Sequence, residues 1–217
     1  MPEAYIVDAI RTPVGKRRGS LSQIHGADLG AHIIKALVDR HGIPAEDYDD
    51  VVFGCLDAIG PLAGNIARTC WLAAGLPLTV PGVTVDRQCG SSQQALHFAA
   101  QGVMSGTQDV VIAGGVQTMS QIPISSAMIA AQPLGFDDPF SGSKGWVEHF
   151  GPELVTQFRG AEMIADKWDI SREAMEQFSL ESHRRARAAI AEGRFKNEIV
   201  PIAGLDHDVT TRETSLE

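Results

Sequence analysis

The chain has 217 residues, 44% hydrophobic and 21% charged, which is enough apolar content for a substantial buried core in one large or two small domains. Its net charge of -9 leaves no excess of Lys and Arg to neutralise phosphates, and this argues against a nucleic-acid or anionic-membrane surface. Three cysteines, Cys55, Cys70 and Cys89, cannot all pair and form no CxxC, so neither a disulfide framework nor a metal site is expected.

The first residues lack a basic region followed by a long apolar run, and no apolar stretch approaches the ~20 residues of a membrane span. A cytoplasmic, reducing location is the expectation. Residues Ala4 to Ile10 read as a buried first strand, and Arg11-Thr12-Pro13-Val14-Gly15-Lys16-Arg17-Arg18 leaves it as a polar, basic loop. From Ala27 to His41 the positions of Leu29, Ile33, Ile34, Leu37 and Val38 predict an amphipathic helix, closed by Gly42 and Pro44. Val51 to Leu56 is the next strand. A second helix begins at Gly64-Asn65-Ile66-Ala67-Arg68, runs through Trp71 and Leu72, and ends at Gly75 and Pro77. Cys55 and Cys70 fall within these apolar elements and read as packing residues.

The stretch Gly82 to Gly115 is the centre of the chain. An apolar, β-branched run, Val83-Thr84-Val85, leads into Asp86-Arg87-Gln88-Cys89. Gly90-Ser91-Ser92 then opens an amphipathic segment closing near Gly106, and Asp109 to Ala113 reads as another buried strand. In a strand–helix–strand unit of this kind Cys89 stands at the turn into the helix, where unpaired backbone N–H groups and the positive end of the macrodipole favour an anion such as a thiolate. Gly90 and the small residues after it leave room for a substrate carbonyl to approach the sulfur. A single Cys in a small-residue turn is, on spacing alone, more often a packed core residue than a nucleophile, and spacing leaves both readings open.

Strands alternating with helices at this pitch predict an α/β fold. Its mixed, largely parallel sheet is covered by helices on both faces, and right-handed crossovers put the active site at the carboxyl ends of the strands. After Ser120 the texture changes. Gln121 to Gln157 is irregular, with Pro123, Pro133 and Pro139 among Gly and Ser residues and four aromatics, Phe136, Phe140, Trp146 and Phe150. Those aromatics argue against disorder and for an excursion that covers the active site. Phe158 to Trp168 is predicted helical. Ser171 is an N-cap for a long helix over Ala174 to Phe195, with Met175, Phe178, Ala186 and Ile190 on its inner side. Arg184, Arg185, Arg187, Arg194 and Lys196 decorate that helix, either as a solvated face or as a basic rim.

Three strings in order, Cys89-Gly90-Ser91, Ala113 to Ser120 and Gly193 to Pro201, resemble the thiolase family, the acetyl-CoA acetyltransferases and 3-ketoacyl-CoA thiolases. The opening Arg11-Thr12-Pro13 and Gly15 is similar as well. The resemblance covers essentially the whole chain and implies the N-terminal half of a thiolase. It would comprise an α/β domain over residues 1–120 and most of an inserted loop domain over 121–217, and the end at Glu217 reads as mid-protein.

What the resemblance implies about chemistry is an acyl-cysteine enzyme with Cys89 as nucleophile, coenzyme A and acyl-CoA as substrates, and no permanently bound cofactor. Gly90 and Gln157 would border the substrate and Arg212 would contact coenzyme A; the basic rim would attract its phosphates. The Gly-His-Pro, Asn-Glu-Ala-Phe and Cys-Gly-Gly motifs that supply base, donors and acid in the family are not in this sequence. His97 and His149 do not replace them by position, so the chain reads as incomplete for catalysis, whether as a truncated or cleaved product or as one subunit of a split enzyme with a complementary C-terminal thiolase half as its partner. A homodimer or homotetramer is also implied, with Gly64 to Arg68 and Gly82 to Arg87 as candidate contacts.

Two departures stand out. Ser92 replaces the second glycine of Cys-Gly-Ser-Gly, which should be tolerated. Thr156-Gln157 replaces the His-Met pair of short-chain members, which implies an acyl group bulkier than acetoacetyl, as in lipid or steroid side-chain degradation. The alternatives are biosynthetic Claisen condensation to acetoacetyl-CoA and a non-catalytic acyl-CoA or lipid-binding protein on a thiolase scaffold.

Overall fold

The computed structural model describes residues 2–153 and 155–215. Three parallel strands, β1 (Asp50–Gly54), β2 (Gly82–Val85) and β3 (Val111–Gly115), form one sheet in the order β2-β1-β3. Val52 lies beside Val83 on one side and Ala113 on the other. The chain passes from β1 to β2 through α2 (Ile66–Ala73), then reverses across β1 to reach β3 through α3 (Ser91–Ser105). Strand twist fixes one crossover hand, so reversing direction forces the two connections onto opposite faces. That is what is found. Phe53 faces α2 and α1 (Gly26–His41), since a Cβ placed on Gly30 of α1 would meet both Cys70 and the Phe53 ring. Gly54, one residue on, faces α3, where a Cβ would collide with the backbone of Ser91 and Ser92.

The main core lies on the α1/α2 face. Ile34, Val51, Leu62, Ile66, Cys70 and Trp71 are all fully buried, and Trp71 also donates its indole N–H to Pro77 O at 2.7 Å. The helix boundaries follow local chemistry. Asn65 caps α2 by accepting from Arg68 N, and α1 and α3 stop at Gly42 and Gly106, both left-handed at φ 63° and 74°. Asn65 and Arg68 also hold the approach to β2. The Asn65 amide donates to Gly82 O at 2.5 Å and the Arg68 guanidinium to Val80 O and to Leu78 O.

The expected strand over residues 4–10 does not form. Tyr5, Ile6 and Val7 are 71–78% exposed, and the pairing near this segment is a single parallel bridge, Arg11 with Ile199. Their apolar, β-branched pattern is a strand signal, but a strand exists only against a partner backbone, and none of the three described strands lies beside it.

Residues 121–157 are less irregular than expected. They contain α4 (Ser126–Ile129), a 3-10 turn at Gln132–Leu134, and α5 (Lys144–Phe150), capped by Ser143. Next come α6 (Gln157–Trp168), whose N-cap is Thr156, and α7 (Arg172–Ala191), capped by Ser171. The long helix ends four residues before the expected Phe195, because Gly193 turns left-handed at φ 69°. Its expected inner side is also corrected: Phe178 is 79% exposed and Met175 is exposed too, and residues 172–179 are exposed throughout. The chain then returns to its start. Arg11 bridges Glu198 at 2.6 Å and Asp208 at 2.7 Å, and His32 lies 3.0 Å from Pro201 O. Among the described residues no helix is long and apolar enough to cross a membrane.

Candidate active site

Cys89 follows β2 by four residues and precedes α3 by two, and it is exposed whereas Cys55 and Cys70 are buried. The turn that presents it is cross-braced. Asp86 accepts from Gln88 N at 2.8 Å, the Ser91 hydroxyl accepts from Arg87 N at 2.9 Å and donates to Gln88 O at 2.5 Å, and Gly90 N donates to Arg87 O at 3.1 Å. Gln88 takes φ 49°, a left-handed conformation that a non-glycine residue adopts rarely and that clusters at functional sites. The fixed turn lifts the sulfur out of the fold at the amino end of a 15-residue helix. That end carries positive potential.

Burial separates the other two thiols from this one. Loss of hydration pushes Cys55 up to about 11, with Asp86 and Asp57 adding to it. It pushes Cys70 up to about 12, reinforced by Cys55 and Asp28. Both are packing residues, as the sequence implied. Ser92 is accommodated because Gly115 has no side chain: a Cβ there would collide with the Ser92 hydroxyl. The extra hydroxymethyl group therefore rests on the sheet.

A cavity of about 760 Å³ opens on Cys89 and is walled on its other sides by Leu56, Asp57 and Asp86 and by side chains from residues 124–153 and 155–158. Ile124, Met128, Phe140, Trp146, Val155 and Phe158 give it an apolar lining. Trp146 stacks between Phe140 and Phe150 at ring separations of 4.5 and 4.6 Å. The excursion after Ser120 thus borders the cavity on which Cys89 opens and leaves the cysteine itself exposed. Three aspartates also line the cavity, and each is occupied by backbone amides. Asp57 accepts from Ser125 N and Ala127 N, Asp86 from Gln88 N, and Asp138 from Phe140 N and Ser141 N. Those amides hold Asp138 below the usual carboxylate range. The spacing Asp138-Pro139-Phe140-Ser141 is an Asx-turn signal readable from sequence; the role of Asp57 was not, because its partners lie 68 and 70 residues away.

The expected site residues separate. Gln157 and Thr156 line the cavity with Cys89, and Gly90 is the N-cap of α3 beside it. Arg212 is exposed and lies outside the cavity lining. The basic residues of α7 lie outside it too. Arg184 and Arg185 pair with Glu181, Arg194 with Glu192, and Arg187 approaches Glu213 at 3.6 Å. Glu181 is held down to about 2 by Arg184 and then Arg185. Neither His97 nor His149 is among the residues lining the cavity. Among the described residues no group of His, Cys, Asp and Glu is arranged to hold a metal ion.

Comparison with known proteins matches these features. The family model described as the thiolase N-terminal domain covers residues 4–216. The chain is 57% identical over 221 aligned positions to the steroid 3-ketoacyl-CoA thiolase FadA6 of Mycobacterium tuberculosis (strain ATCC 25618 / H37Rv), covering 100% of this chain and 54% of that protein. It is 40% identical over 215 positions to a 3-ketoacyl-CoA thiolase of Serratia proteamaculans (strain 568), covering 98% and 52%. A 3-ketoacyl-CoA thiolase of Bacillus subtilis (strain 168) is 38% identical over 203 positions, covering 93% and 49%. The chain spans about half the length of the curated relatives it matches. Its sheet, its cysteine turn and its sequence together make it a member of the thiolase family, matching the N-terminal domain.

Proposed function

We propose that this chain supplies the nucleophilic half of a degradative 3-ketoacyl-CoA thiolase, with Cys89 as the acyl-accepting residue. The observation that carries the reading is the exposed Cys89 on a braced turn at a helix amino end, opening into a large apolar cavity. The Cys89 thiolate attacks the 3-keto carbon of a 3-ketoacyl-CoA. The bond between C2 and C3 breaks, its electron pair leaves with acetyl-CoA as an enolate that is then protonated, and the shortened acyl group stays on sulfur. The thiol of free coenzyme A then attacks the thioester carbonyl and releases the product from Cys89. A base must deprotonate the thiol and a donor set must stabilise the enolate. The family's motifs for both are absent from this sequence, and in this reading a C-terminal thiolase half supplies them.

The cavity supports a bulky acyl group. A volume of about 760 Å³ lies in the range that encloses drug-sized ligands, and Thr156-Gln157 stands where a tighter, short-chain pocket would carry His-Met. With the similarity to a steroid thiolase, this favours degradation of lipid or steroid side chains over acetoacetyl-CoA synthesis. In this reading Gln157 borders the acyl group, Gly90 gives it backbone room, and Arg212 is kept as a coenzyme A contact. The α/β unit up to about residue 120 carries the nucleophile and the excursion after it shapes the pocket. Coenzyme A acts as substrate, and homo-oligomer formation in the cytoplasm completes the proposal, with β2 as an edge strand available for it.

Intact-protein mass after brief exposure to acetyl-CoA tests the chemistry, comparing this chain with Cys89→Ala, alone and mixed with a C-terminal thiolase half. One acetyl mass on the wild type and none on the variant is expected. An adduct that survives in Cys89→Ala, or no adduct in either setting, overturns the assignment.

A further inference from the structure

Asp57 is 4% exposed, takes φ 52° and stands three residues past the end of β1. Its carboxylate accepts from Ser125 N at 2.9 Å and from Ala127 N at 2.7 Å. Ser125 itself is left-handed at φ 70°. The segment thus held contributes Ile124, Ala127, Met128 and Ile129 to the cavity that opens on Cys89. Upstream, Ile122 packs against the core and Gln121 donates to Ser22 O and Ile24 O. Beyond that anchor, the other hydrogen bonds of residues 123–137 among the described residues are local to the segment. One buried carboxylate therefore ties the wall to the sheet.

We propose that Asp57 is a positioning residue that fixes the 124–129 wall over Cys89 and thereby sets the cavity's preference for large apolar groups. Both carboxylate oxygens are needed. Alanine offers no acceptor, and asparagine keeps one while turning its N–H₂ toward an amide that also donates. Hydrogen bonds to an ionised acceptor are among the stronger ones in proteins, and a lost acceptor leaves the amides it held without a partner. The link to acyl size rests on the thiolase reading; the link to the wall does not.

The test uses two thiol reagents and no coenzyme A. Cys89 in the wild type, Asp57→Ala and Asp57→Asn is alkylated with iodoacetamide and with the large apolar N-(1-pyrenyl)maleimide. Hydrogen exchange is followed at residues 123–129 and, as a check on folding, across β1. Exchange at 123–129 should rise while β1 stays protected. The rate ratio of the large reagent to the small one should fall about tenfold in Asp57→Ala, the scale on which pockets discriminate a single apolar contact, and by less in Asp57→Asn. Faster exchange with an unchanged ratio would reduce Asp57 to a structural brace and overturn the proposal, as would unchanged exchange. If Asp57→Ala does not fold, Asp57→Asn carries the same two outcomes. A ratio that follows Asp57 in a protein never acylated by acyl-CoA would leave the positioning role standing and remove the thiolase reading instead.

Discussion

Cys55, Cys70 and Cys89 share one side chain and differ only in surroundings, so their reactivity reports the fold. Brief iodoacetamide treatment of the native protein at pH 7 should add one label, at Cys89, and two more only after unfolding; peptide mapping checks this. The buried pair also makes the protein base-sensitive. In the unfolded chain both thiols ionise near 9, whereas in the fold they hold their protons up to about 11 and about 12. Above pH 9 the folded state binds more protons than the unfolded one, so stability falls with rising pH through that window. Urea midpoints measured from pH 8 to 10.5 should drop, and Cys70→Ala should flatten part of that slope. A flat profile in the wild type would show that the two thiols are not buried as described.

Among the elements, the contact of α3 with the sheet decides where the nucleophile stands. Gly54 and Gly115 lie under its first turn, and a Cβ on Gly54 would strike the backbone of Ser91 and Ser92. Backbone cannot rotate away as a side chain can. Gly54→Ala should therefore cost about 3 kcal/mol, the upper end of overpacking penalties, and should shift the helix start and slow Cys89 alkylation. Thermal unfolding together with the alkylation rate checks both. A smaller loss with unchanged alkylation would mean that α3 is free to slide on the sheet. The same element shows what sequence reasoning reached and what it did not. The start of α3 after Gly90 and its end at Gly106 were legible from small residues and apolar spacing. The left-handed Gln88 beside the nucleophile was not, because nothing in its side chain asks for that conformation.

At the scale of the whole molecule, Arg11 joins the first segment to residues 198–208 through Glu198 and Asp208, with Phe195 beneath its guanidinium. Arg11, followed by Val14 N, holds the Asp208 carboxyl below its ordinary value. A lowered folded value stabilises above the unfolded one of about 4 and is lost as pH falls through the folded one. Arg11→Ala should cost about 1–2 kcal/mol at pH 7 and should flatten the acid limb of stability between pH 5 and 2. Urea unfolding across that range measures it, and an equally steep acid limb in the variant would show that the clamp contributes nothing. The exposed Tyr5, Ile6 and Val7 and the bare first half of α7 belong to this scale too. Both carried sound apolar patterns, and both lie open because burial depends on a neighbouring element.

The sequence by itself determined the order of helices and strands from α1 to β3, the burial of Cys55 and Cys70, the turn that presents Cys89, and the family, since all of these rest on local spacing, small residues and contiguous motifs. The tertiary structure alone decided which residues surround the sulfur. The cavity joins Leu56, Asp57, Asp86, Gln88 and Cys89 with side chains from residues 124–153 and 155–158, and it depends on Asp57 reaching amides 68 and 70 positions away. Contacts at that separation are set by how elements pack, and periodicity along the chain carries no record of them.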